Sequence, residues 1–317
     1  MQTFYTETLY EIITILEQKI KPLEPQEITR FKVLNPDTKS NLYNGEYVDN
    51  NNKKYIYRGY KTWIDLAHML KCKMLTPVVE DKNLIIISYQ KLNTEKSFHN
   101  QQNDTEQKYG NNSIFSQINK NEEAGFLYYY QQSLKNIDLK KRYKILNLGI
   151  NNAHEFESLL QIDKDFDKKE LVGIDYCSSA IKEAKNKFAK HNNVKFYTHD
   201  INDLHSLNLG KFDLIITIGT LQSSNIKFNA TFMSIVQNYL KKDGAMIIGF
   251  VNCRWIDTQM IYGAKVKNYP FSELGLLYKD VMFCKKYLQQ KQYRVTITGK
   301  DYIFLSATSI QKTDKSQ

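Results

Sequence analysis

Short apolar runs separated by segments of helical spacing dominate the second half of the chain. Short runs rich in apolar residues, which predict strands, occur at 143–149, 170–175, 194–198, 211–218 and 244–251. Between them, apolar residues recur with a helical period at 154–161, 178–190 and 226–240. Alternation of this kind is typical of a mostly parallel sheet covered by helices on both faces. The pattern therefore predicts an α/β fold with a doubly wound sheet.

The pattern changes near the carboxyl end of the chain. A helix is predicted at about 271–290, and two strand-like runs, YRVTIT and YIFLSAT, follow it. Only Gly299, Lys300 and Asp301 separate these runs, and parallel neighbours need a far longer connection. We therefore expect the sheet to end in an antiparallel hairpin.

The first third of the chain has a different organisation. Its pattern predicts a helix within 4–20, a hairpin within 45–60, a helix at 61–73 and a strand at 83–92. These elements indicate a small α+β module at 1–92. Residues 93–121 are rich in Asn, Gln and charged side chains, as is typical of a linker. A further helix then leads into a second domain, which we assign to 122–317.

Composition excludes several classes of protein. The chain has 317 residues, of which 42% are hydrophobic and 25% charged, and it contains no apolar run long enough to span a membrane. Its first residues, acidic and of helical period, differ from a signal peptide. The four cysteines are scattered and no His cluster accompanies them, so we expect neither a metal site nor a disulfide framework. A reduced, cytoplasmic protein is the expectation.

The formal net charge of +10 raises the possibility of a nucleic-acid partner. Residues 1–100 carry 14 Lys and Arg against 12 Asp and Glu, whereas residues 251–317 carry 11 against 5. The excess therefore lies mainly at the carboxyl end. Because the basic residues are dispersed rather than arranged in one block, a general compositional bias toward lysine and asparagine is the favoured explanation of the charge.

The candidate ligand site lies where the first two strands of the second domain end. In open α/β sheets, ligands bind outside the carboxyl ends of the strands, and an acidic residue closing the second strand can accept hydrogen bonds from a ribose. Asp175 closes that strand, and Gly149 opens the loop after the first one. A dinucleotide site needs two further glycines, where this chain has Asn151 and His154. The sequence thus disfavours a pyrophosphate site, and His154 is expected at the surface or in a capping position.

Four segments in order, together with the terminal hairpin, resemble the class I S-adenosylmethionine-dependent methyltransferases over residues 143–308. KILNLGI, VGIDYCSSAIKEAK, VKFYTHDIND and KFDLIITIGTLQ are similar to the first to fourth motifs of that family. The resemblance implies a Rossmann-like, seven-stranded sheet and S-adenosylmethionine as cofactor. Where the family often has an acidic residue in the first motif, this chain has Asn147.

The resemblance also implies which residues contact the cofactor. Asn147, Gly149 and Asn151 would surround its methionine part, and Asp175 would bind the ribose hydroxyls. The remaining contacts implied by the motifs are Tyr176 beside the adenine, Asp200 near the adenine amino group, Ile201 beside the ring, and Ile218 and Gly219 at the end of the fourth motif. From the residues alone, Asp175 and Asp200 could instead cap the helices that follow them.

Two segments are candidates for binding the methyl acceptor. The loop after the fourth motif offers Thr220 and Gln222, but it has neither the Cys nor the Asp/Asn-Pro-Pro-aromatic sequence of base-methylating subclasses. A long insertion at 252–270 follows the fifth strand, and its aromatic and charged side chains could stack on a planar acceptor and pair with an anion. Its candidate residues are Asn252, Arg254, Trp255, Tyr262, Lys265 and Tyr269. Cys253 lacks an evident activating partner, and no catalytic residue is identified.

Three hypotheses on function stay open at this point. The first is methyl transfer to a cytoplasmic acceptor, with an RNA such as tRNA slightly favoured over a small molecule. The second is a protein that binds the cofactor but has lost or weakened catalysis and serves as an interaction module. The third is a dinucleotide or nucleotide-sugar enzyme, which the absent phosphate loop and the terminal hairpin oppose. The oligomeric state and the role of residues 1–120 are not indicated.

Overall fold

The computed structural model describes residues 1–50, 52–97, 109–110, 113–264 and 271–310. Contacts divide the chain into two compact units. The smaller comprises Met1–Asn100 and Trp255–Ile261, and the larger comprises Gln101–Arg254 and Tyr262–Gln317. The predicted linker at 93–121 lies partly outside the described residues, and two short 3₁₀ helices, Phe115–Gln117 and Lys120–Glu122, occupy its described end.

The smaller unit is an α+β arrangement. In chain order its elements are β1 (Gln2–Thr3), α1 (Leu9–Ile20), β2 (Ile28–Leu34), β3 (Tyr47–Asn50), β4 (Lys53–Ile56), α2 (Tyr60–Met69), β5 (Cys72–Met74), β6 (Val78–Val79) and β7 (Leu84–Lys91). The main sheet has the order β1-β2-β7-β5, with β6 also paired to β7, and β3 and β4 form a separate hairpin. Its core combines aliphatic side chains with an aromatic group in which Phe31 is in edge contact with Tyr89 and close to Trp63.

The first helix, Leu9–Ile20, lies within the predicted range 4–20, and a reciprocal capping box between Thr8 and Glu11 fixes its start. Strand β2 was not predicted. Its central position in the sheet, between β1 and β7, depends on pairing with strands remote in sequence.

The larger unit contains a seven-stranded sheet. Its elements are α3 (Ala124–Asn136), β8 (Lys144–Leu148), α4 (His154–Ile162), β9 (Glu170–Asp175), α5 (Ser178–Lys187), β10 (Val194–Thr198), β11 (Phe212–Ile218), α6 (Phe228–Asn238), β12 (Leu240–Val251), α7 (Gly275–Gln290), β15 (Tyr293–Gly299) and β16 (Tyr302–Ser309). Between β12 and α7 the chain forms β13 (Cys253–Ile256) and β14 (Gln259–Tyr262), most of whose residues belong to the smaller unit. The order is β10-β9-β8-β11-β12-β16-β15, and β13 and β14 form a separate hairpin. Strand β16 is antiparallel to both of its neighbours, and the other neighbouring pairs are parallel. The α/β fold and the terminal antiparallel hairpin are therefore confirmed.

Helices cover both faces of this sheet because its strands are apolar on both sides. On β16, Leu305 and Ala307 belong to a core that includes residues of α6 and α7. The alternate residue Phe304 instead contacts Phe126 and Tyr130 of α3. All parallel strands end at one edge, and the residues discussed below lie there. Within the described ranges, no helix is both long and apolar enough to cross a membrane.

Candidate functional site

The loop that follows β8 is fastened to the end of β9. The N–H groups of Gly149 and Ile150 both donate to the Ile174 carbonyl, at 2.8 and 3.1 Å. The next N–H, that of Asn151, donates to Asp175 Oδ2 at 2.8 Å. Three consecutive backbone donors therefore hold this loop against the strand that carries the predicted ribose-binding carboxylate.

This loop keeps a glycine-type backbone although it contains one glycine. Gly149, Asn151 and Ala153 all have a positive φ, at 74°, 49° and 69°. Asn tolerates this left-handed region better than most residues, but Ala153 carries a steric cost of roughly 1–2 kcal/mol. The third residue with positive φ is thus Ala153, whereas the glycine pattern of a dinucleotide loop would place its last glycine one residue later, at His154. The backbone shape is thus retained where the sequence signature is lost.

Gly149 is also required by a close contact. A Cβ on this residue would lie 1.9 Å from Thr220 Oγ1, far inside contact distance. That hydroxyl lies 3.2 Å from the Leu148 carbonyl and 3.3 Å from the Ile218 carbonyl, to which it can donate. Thr220 was predicted to contact the methyl acceptor. In the structure its hydroxyl joins the ends of β8 and β11.

The Asp175 carboxylate occupies the end of β9. Its Oδ2 accepts from Asn151 N–H and its Oδ1 accepts from Cys177 N–H, at 2.8 and 2.9 Å. Burial raises the pKa of this carboxyl, while the two backbone donors oppose the rise. An ionised carboxylate offers about four acceptor positions, and these two backbone donors use two of them. Tyr176, the next residue, is exposed.

Asn147 carries a buried polar group without a partner. Its side chain is 1% exposed, and within the described part of the chain neither its amide oxygen nor its amide nitrogen forms a hydrogen bond. Buried polar groups are nearly always satisfied, so such an orphan near the end of β8 suits a ligand that supplies the missing partner. This position was predicted to contact the methionine part of the cofactor.

Two residues of the third motif, Asp200 and Ile201, contribute to the local fold. Asp200 is the N-cap of the 3₁₀ helix Ile201–Leu207, and its Oδ1 accepts from Asn202 N–H at 2.9 Å. Ile201 is buried in the core shared with α6 and α7. The capping alternative for Asp200 is therefore realised, and its contact with adenine stays a prediction. Ile218 is buried at the end of β11, and Gly219 follows with its N–H bonded to the Gly249 carbonyl.

The predicted acceptor residues fall into different environments. Gln222 Nε2 donates to Asp280 Oδ2 of α7 at 3.0 Å. Asn252 is buried and bonded through Nδ2 to the Lys300 carbonyl, and its Oδ1 has no partner in the described structure. Burial lowers the pKa of Arg254. Tyr262 is exposed, Trp255 belongs to the smaller unit, and Lys265 and Tyr269 lie outside the described residues.

Residues 253–262 of the predicted insertion form a tight hairpin, which the sequence pattern did not predict. Between β13 and β14, Asp257 and Thr258 both have a positive φ, as a two-residue turn requires. Asp257 Oδ2 accepts from the N–H of Asn93 at 3.0 Å and from Gln26 Nε2. Since all three belong to the smaller unit, the tip of this insertion serves that unit structurally.

Several buried charged groups beside the loop were not anticipated. Lys120 and Glu155 form an ion pair at 3.3 Å, and both side chains are largely buried. His154 is also buried, so the prediction of a surface or capping position is wrong. Burial and the charges of Lys187 and Lys120 lower the His154 pKa to about 3, which keeps the imidazole neutral. The sequence offered one indication of a role for Glu155, namely an acidic residue in the first turn of the helix that follows the candidate ligand loop.

The described residues do not support a metal site or a cysteine nucleophile at this edge of the sheet. Among the residues that the structure describes, no group of three His, Cys, Asp or Glu side chains could hold a metal ion. Burial raises the pKa of the Cys253 thiol to about 12, and the nearby Asp301 adds to the rise. A thiol with that pKa stays protonated and is a poor nucleophile.

The chain is similar to proteins of known family. A family model described as a methyltransferase domain matches residues 139–298. No curated protein matches the chain. Among solved structures, DszA carbon methyltransferase is 15% identical with a TM-score of 0.45, and the match covers 59% of this chain and 55% of that one. The chain thus spans just over half the length of that relative.

Two other solved structures are similar at the same level. Ribosomal protein L11 methylase from Lactobacillus delbrueckii subsp. bulgaricus is 11% identical, with a TM-score of 0.39 over 57% of this chain and 77% of that one. N-methyltransferase NodS from Bradyrhizobium japonicum WM9, in complex with S-adenosyl-L-homocysteine, is 13% identical. Its TM-score is 0.40 over 59% of this chain and 89% of that one.

Proposed function

This chain belongs to the methyltransferase-domain family, and on that premise we propose that it transfers a methyl group from S-adenosylmethionine to a cytoplasmic acceptor. The observation that carries the proposal is the Asp175 carboxylate, held at the end of β9 by two backbone N–H groups with acceptor capacity to spare. A ribose with two adjacent hydroxyl donors suits such a carboxylate.

The residues at this edge fit the cofactor in two further respects. Asn147 has a buried amide with no partner, which the polar methionine part of the cofactor could satisfy. The loop that begins at Gly149 is held by backbone hydrogen bonds to the end of β9, which keeps it next to the Asp175 carboxylate. The sulfonium supplies an activated methyl group, so the protein needs chiefly to hold an acceptor in line with it and to exclude water. No residue is assigned as a catalytic base.

We favour RNA, such as tRNA, over a small molecule as the acceptor. Residues 251–317 carry a net charge of +6, which suits a phosphate backbone. The smaller α+β unit gives the chain a second surface of the kind that a large substrate needs. In this proposal Gln222, Asn252, Arg254 and Tyr262, which all belong to the larger unit, contact the acceptor.

Calorimetric titration tests the cofactor assignment. The full chain is titrated with S-adenosylmethionine, S-adenosylhomocysteine and NAD, beside the variant Asp175→Ala. We expect micromolar binding of the first two ligands, no binding of NAD, and a loss of at least about tenfold in the variant, since hydrogen bonds to a charged group contribute about 1.5–3 kcal/mol. Binding of NAD alone would contradict the proposal.

A second function is favoured by Asn147, which replaces an acidic residue of the first motif with a neutral one. In this alternative the chain binds the cofactor but has weak or lost catalysis and serves as an interaction module. Incubation with methyl-labelled cofactor and either total RNA or a metabolite extract separates the two. Label in RNA supports the leading proposal, label in the metabolite fraction changes the acceptor class, and binding without any transfer supports the alternative.

A further inference from the structure

A buried ion pair lies beside the Gly149 loop. Lys120 belongs to the 3₁₀ helix Lys120–Glu122, Glu155 belongs to the first turn of α4, and their side chains are only 11% and 2% exposed. Asn121 fixes this arrangement, because its Nδ2 donates to the His154 carbonyl at 2.8 Å and its Oδ1 accepts from Ser158 Oγ at 2.9 Å. The 3₁₀ turn is thus held against the start of α4.

Folding stability alone is a weak explanation for this pair. Desolvation of two charges largely offsets their attraction, so buried ion pairs contribute little net stability. The Nζ to Oε1 distance of 3.3 Å also exceeds the spacing of about 2.7–2.9 Å that is typical of strong charged hydrogen bonds. The Lys120 ammonium also lies over the Phe126 ring, 5.7 Å from its centroid. An ammonium has three donors and a carboxylate about four acceptor positions, so these described contacts use only part of either group.

The position of Lys120 relates it to both ends of the candidate site. Burial raises the pKa of Asp175 and of Cys253, and the charge of Lys120 acts against the rise at both groups. Asp175 ends β9, whereas Cys253 begins β13 just beyond β12. The charge of Lys120 thus favours the ionised form of the predicted ribose contact, and its partner Glu155 follows closely after the loop that is bonded to Asp175.

The chemistry of the pair complements one part of the cofactor. The amino-acid end of S-adenosylmethionine is a zwitterion, with one carboxylate and one ammonium group. Lys120 and Glu155 present the two opposite charges side by side in a place where little water competes for them. Glu155 also supplies a negative charge close to the first motif, in which Asn147 is neutral.

We propose that Lys120 and Glu155 bind the zwitterionic amino-acid end of S-adenosylmethionine, with the Lys120 ammonium facing its carboxylate and the Glu155 carboxylate facing its ammonium. This inference rests on the proposed function. Lys120 lies before residue 139, where the match to the family model begins, so it belongs to no family motif. In this proposal the 3₁₀ helix Lys120–Glu122 completes the cofactor site at the carboxyl edge of the sheet.

Two ligands that differ only in the amino-acid arm test the proposal. S-adenosylhomocysteine carries the arm, whereas 5′-methylthioadenosine keeps the adenosine and sulfur but lacks it. In calorimetric titrations of the full chain, Lys120→Met and Glu155→Gln are each expected to lower affinity for S-adenosylhomocysteine by at least about tenfold. Affinity for 5′-methylthioadenosine is expected to stay within about twofold of wild type, because the ribose contact at Asp175 is intact.

Matched variants separate recognition from folding. Lys168→Met removes an exposed lysine paired with Asp165 and is expected to change neither affinity. Lys120→Arg keeps the charge and is expected to retain most of the affinity for S-adenosylhomocysteine. The double variant Lys120→Met/Glu155→Gln leaves neither charge buried alone, so it should keep its fold and still lose the preference for the arm-bearing ligand.

The outcomes distinguish this inference from the proposed function. If wild type binds both ligands and the variants keep the same ratio of affinities, the pair is structural and the inference is overturned. An equal loss of both ligands, accompanied by a lower melting temperature, overturns it in the same way. If wild type binds neither ligand, the cofactor assignment itself fails and the inference fails with it.

Discussion

At the residue scale, the loop between β8 and α4 shows how a ligand site can keep its shape without its usual sequence. Gly149, Asn151 and Ala153 share a left-handed backbone, yet only one of them is a glycine. Hydrogen bonds from the loop to Ile174 and Asp175 hold the conformation in place. The residues that look like losses in the first motif are therefore compatible with a formed site.

The two ends of this loop should respond oppositely to exchange of glycine and alanine. Gly149→Ala places a Cβ against Thr220 and is expected to destabilise the fold by more than about 2 kcal/mol and to weaken S-adenosylhomocysteine binding. Ala153→Gly relieves a strained φ and should be neutral or stabilising by up to about 1 kcal/mol. Urea denaturation measures both. A Gly149→Ala variant as stable as wild type would contradict the contact argument.

Cofactor affinity should depend on pH through Asp175. Burial raises its pKa above 3.8, so the carboxylate that accepts ligand hydroxyls is fully present above that raised pKa and is lost as the pH falls through it. Affinity for S-adenosylhomocysteine, measured by calorimetry from about pH 8 down to about pH 4, is therefore expected to decline on the acid side. Asp175→Asn should bind more weakly and lack this decline; an unchanged decline in the variant would assign it to another group.

At the element scale, the β13–β14 hairpin changes the interpretation of the long insertion. The sequence placed acceptor-binding residues throughout 252–270, but the tip of the hairpin is bonded to residues 26, 93 and 96 of the smaller unit. Leu92, Ile256 and Ile261 form a small apolar cluster in that unit. This part of the insertion therefore contributes to folding, whatever its outer residues bind.

The hairpin turn should depend on Asp257. In Asp257→Ala, a residue with positive φ loses its favourable side chain and Asn93 N–H loses its acceptor, so a loss of about 2 kcal/mol is expected. Asp257→Asn keeps both the turn preference and an acceptor oxygen and should cost under about 1 kcal/mol. Thermal unfolding and limited proteolysis compare the two. Equal melting temperatures for Ala and wild type would show that the turn contributes nothing.

At the scale of the whole molecule, His154 couples stability to pH. Its pKa is about 3 in the folded chain against 6.5 for a free imidazole, so between these values the unfolded chain binds a proton that the folded chain does not. Unfolding free energy should therefore fall as the pH is lowered from 6.5 toward about 3, with a slope from this group of up to about 1.4 kcal/mol per pH unit.

Removal of the imidazole tests this coupling. His154→Gln is expected to flatten the acid-side loss of unfolding free energy, measured by urea denaturation at several pH values. His205→Gln, which replaces an exposed imidazole, is the matched control and should leave the slope unchanged. If both variants keep the wild-type slope, carboxyl groups rather than His154 determine the acid stability.

The sequence by itself determined the architecture of the larger unit. Strand and helix periods, the short connection between β15 and β16, and Asp175 at a strand end are local properties, because they depend on residues close together in the chain. That is why the α/β sheet, its antiparallel end and the family could be predicted. The proposed contacts of Asp175 and Asn147 stay predictions that the geometry supports.

Tertiary structure alone decided what depends on partners remote in sequence. The burial of His154, the pairing of Lys120 with Glu155 across 35 positions, and the use of Thr220 to join two strand ends have no local signature. The same holds for the membership of Trp255 in the smaller unit. A charge or hydroxyl acquires its role from the dielectric and the partners around it, and only the folded chain brings those together.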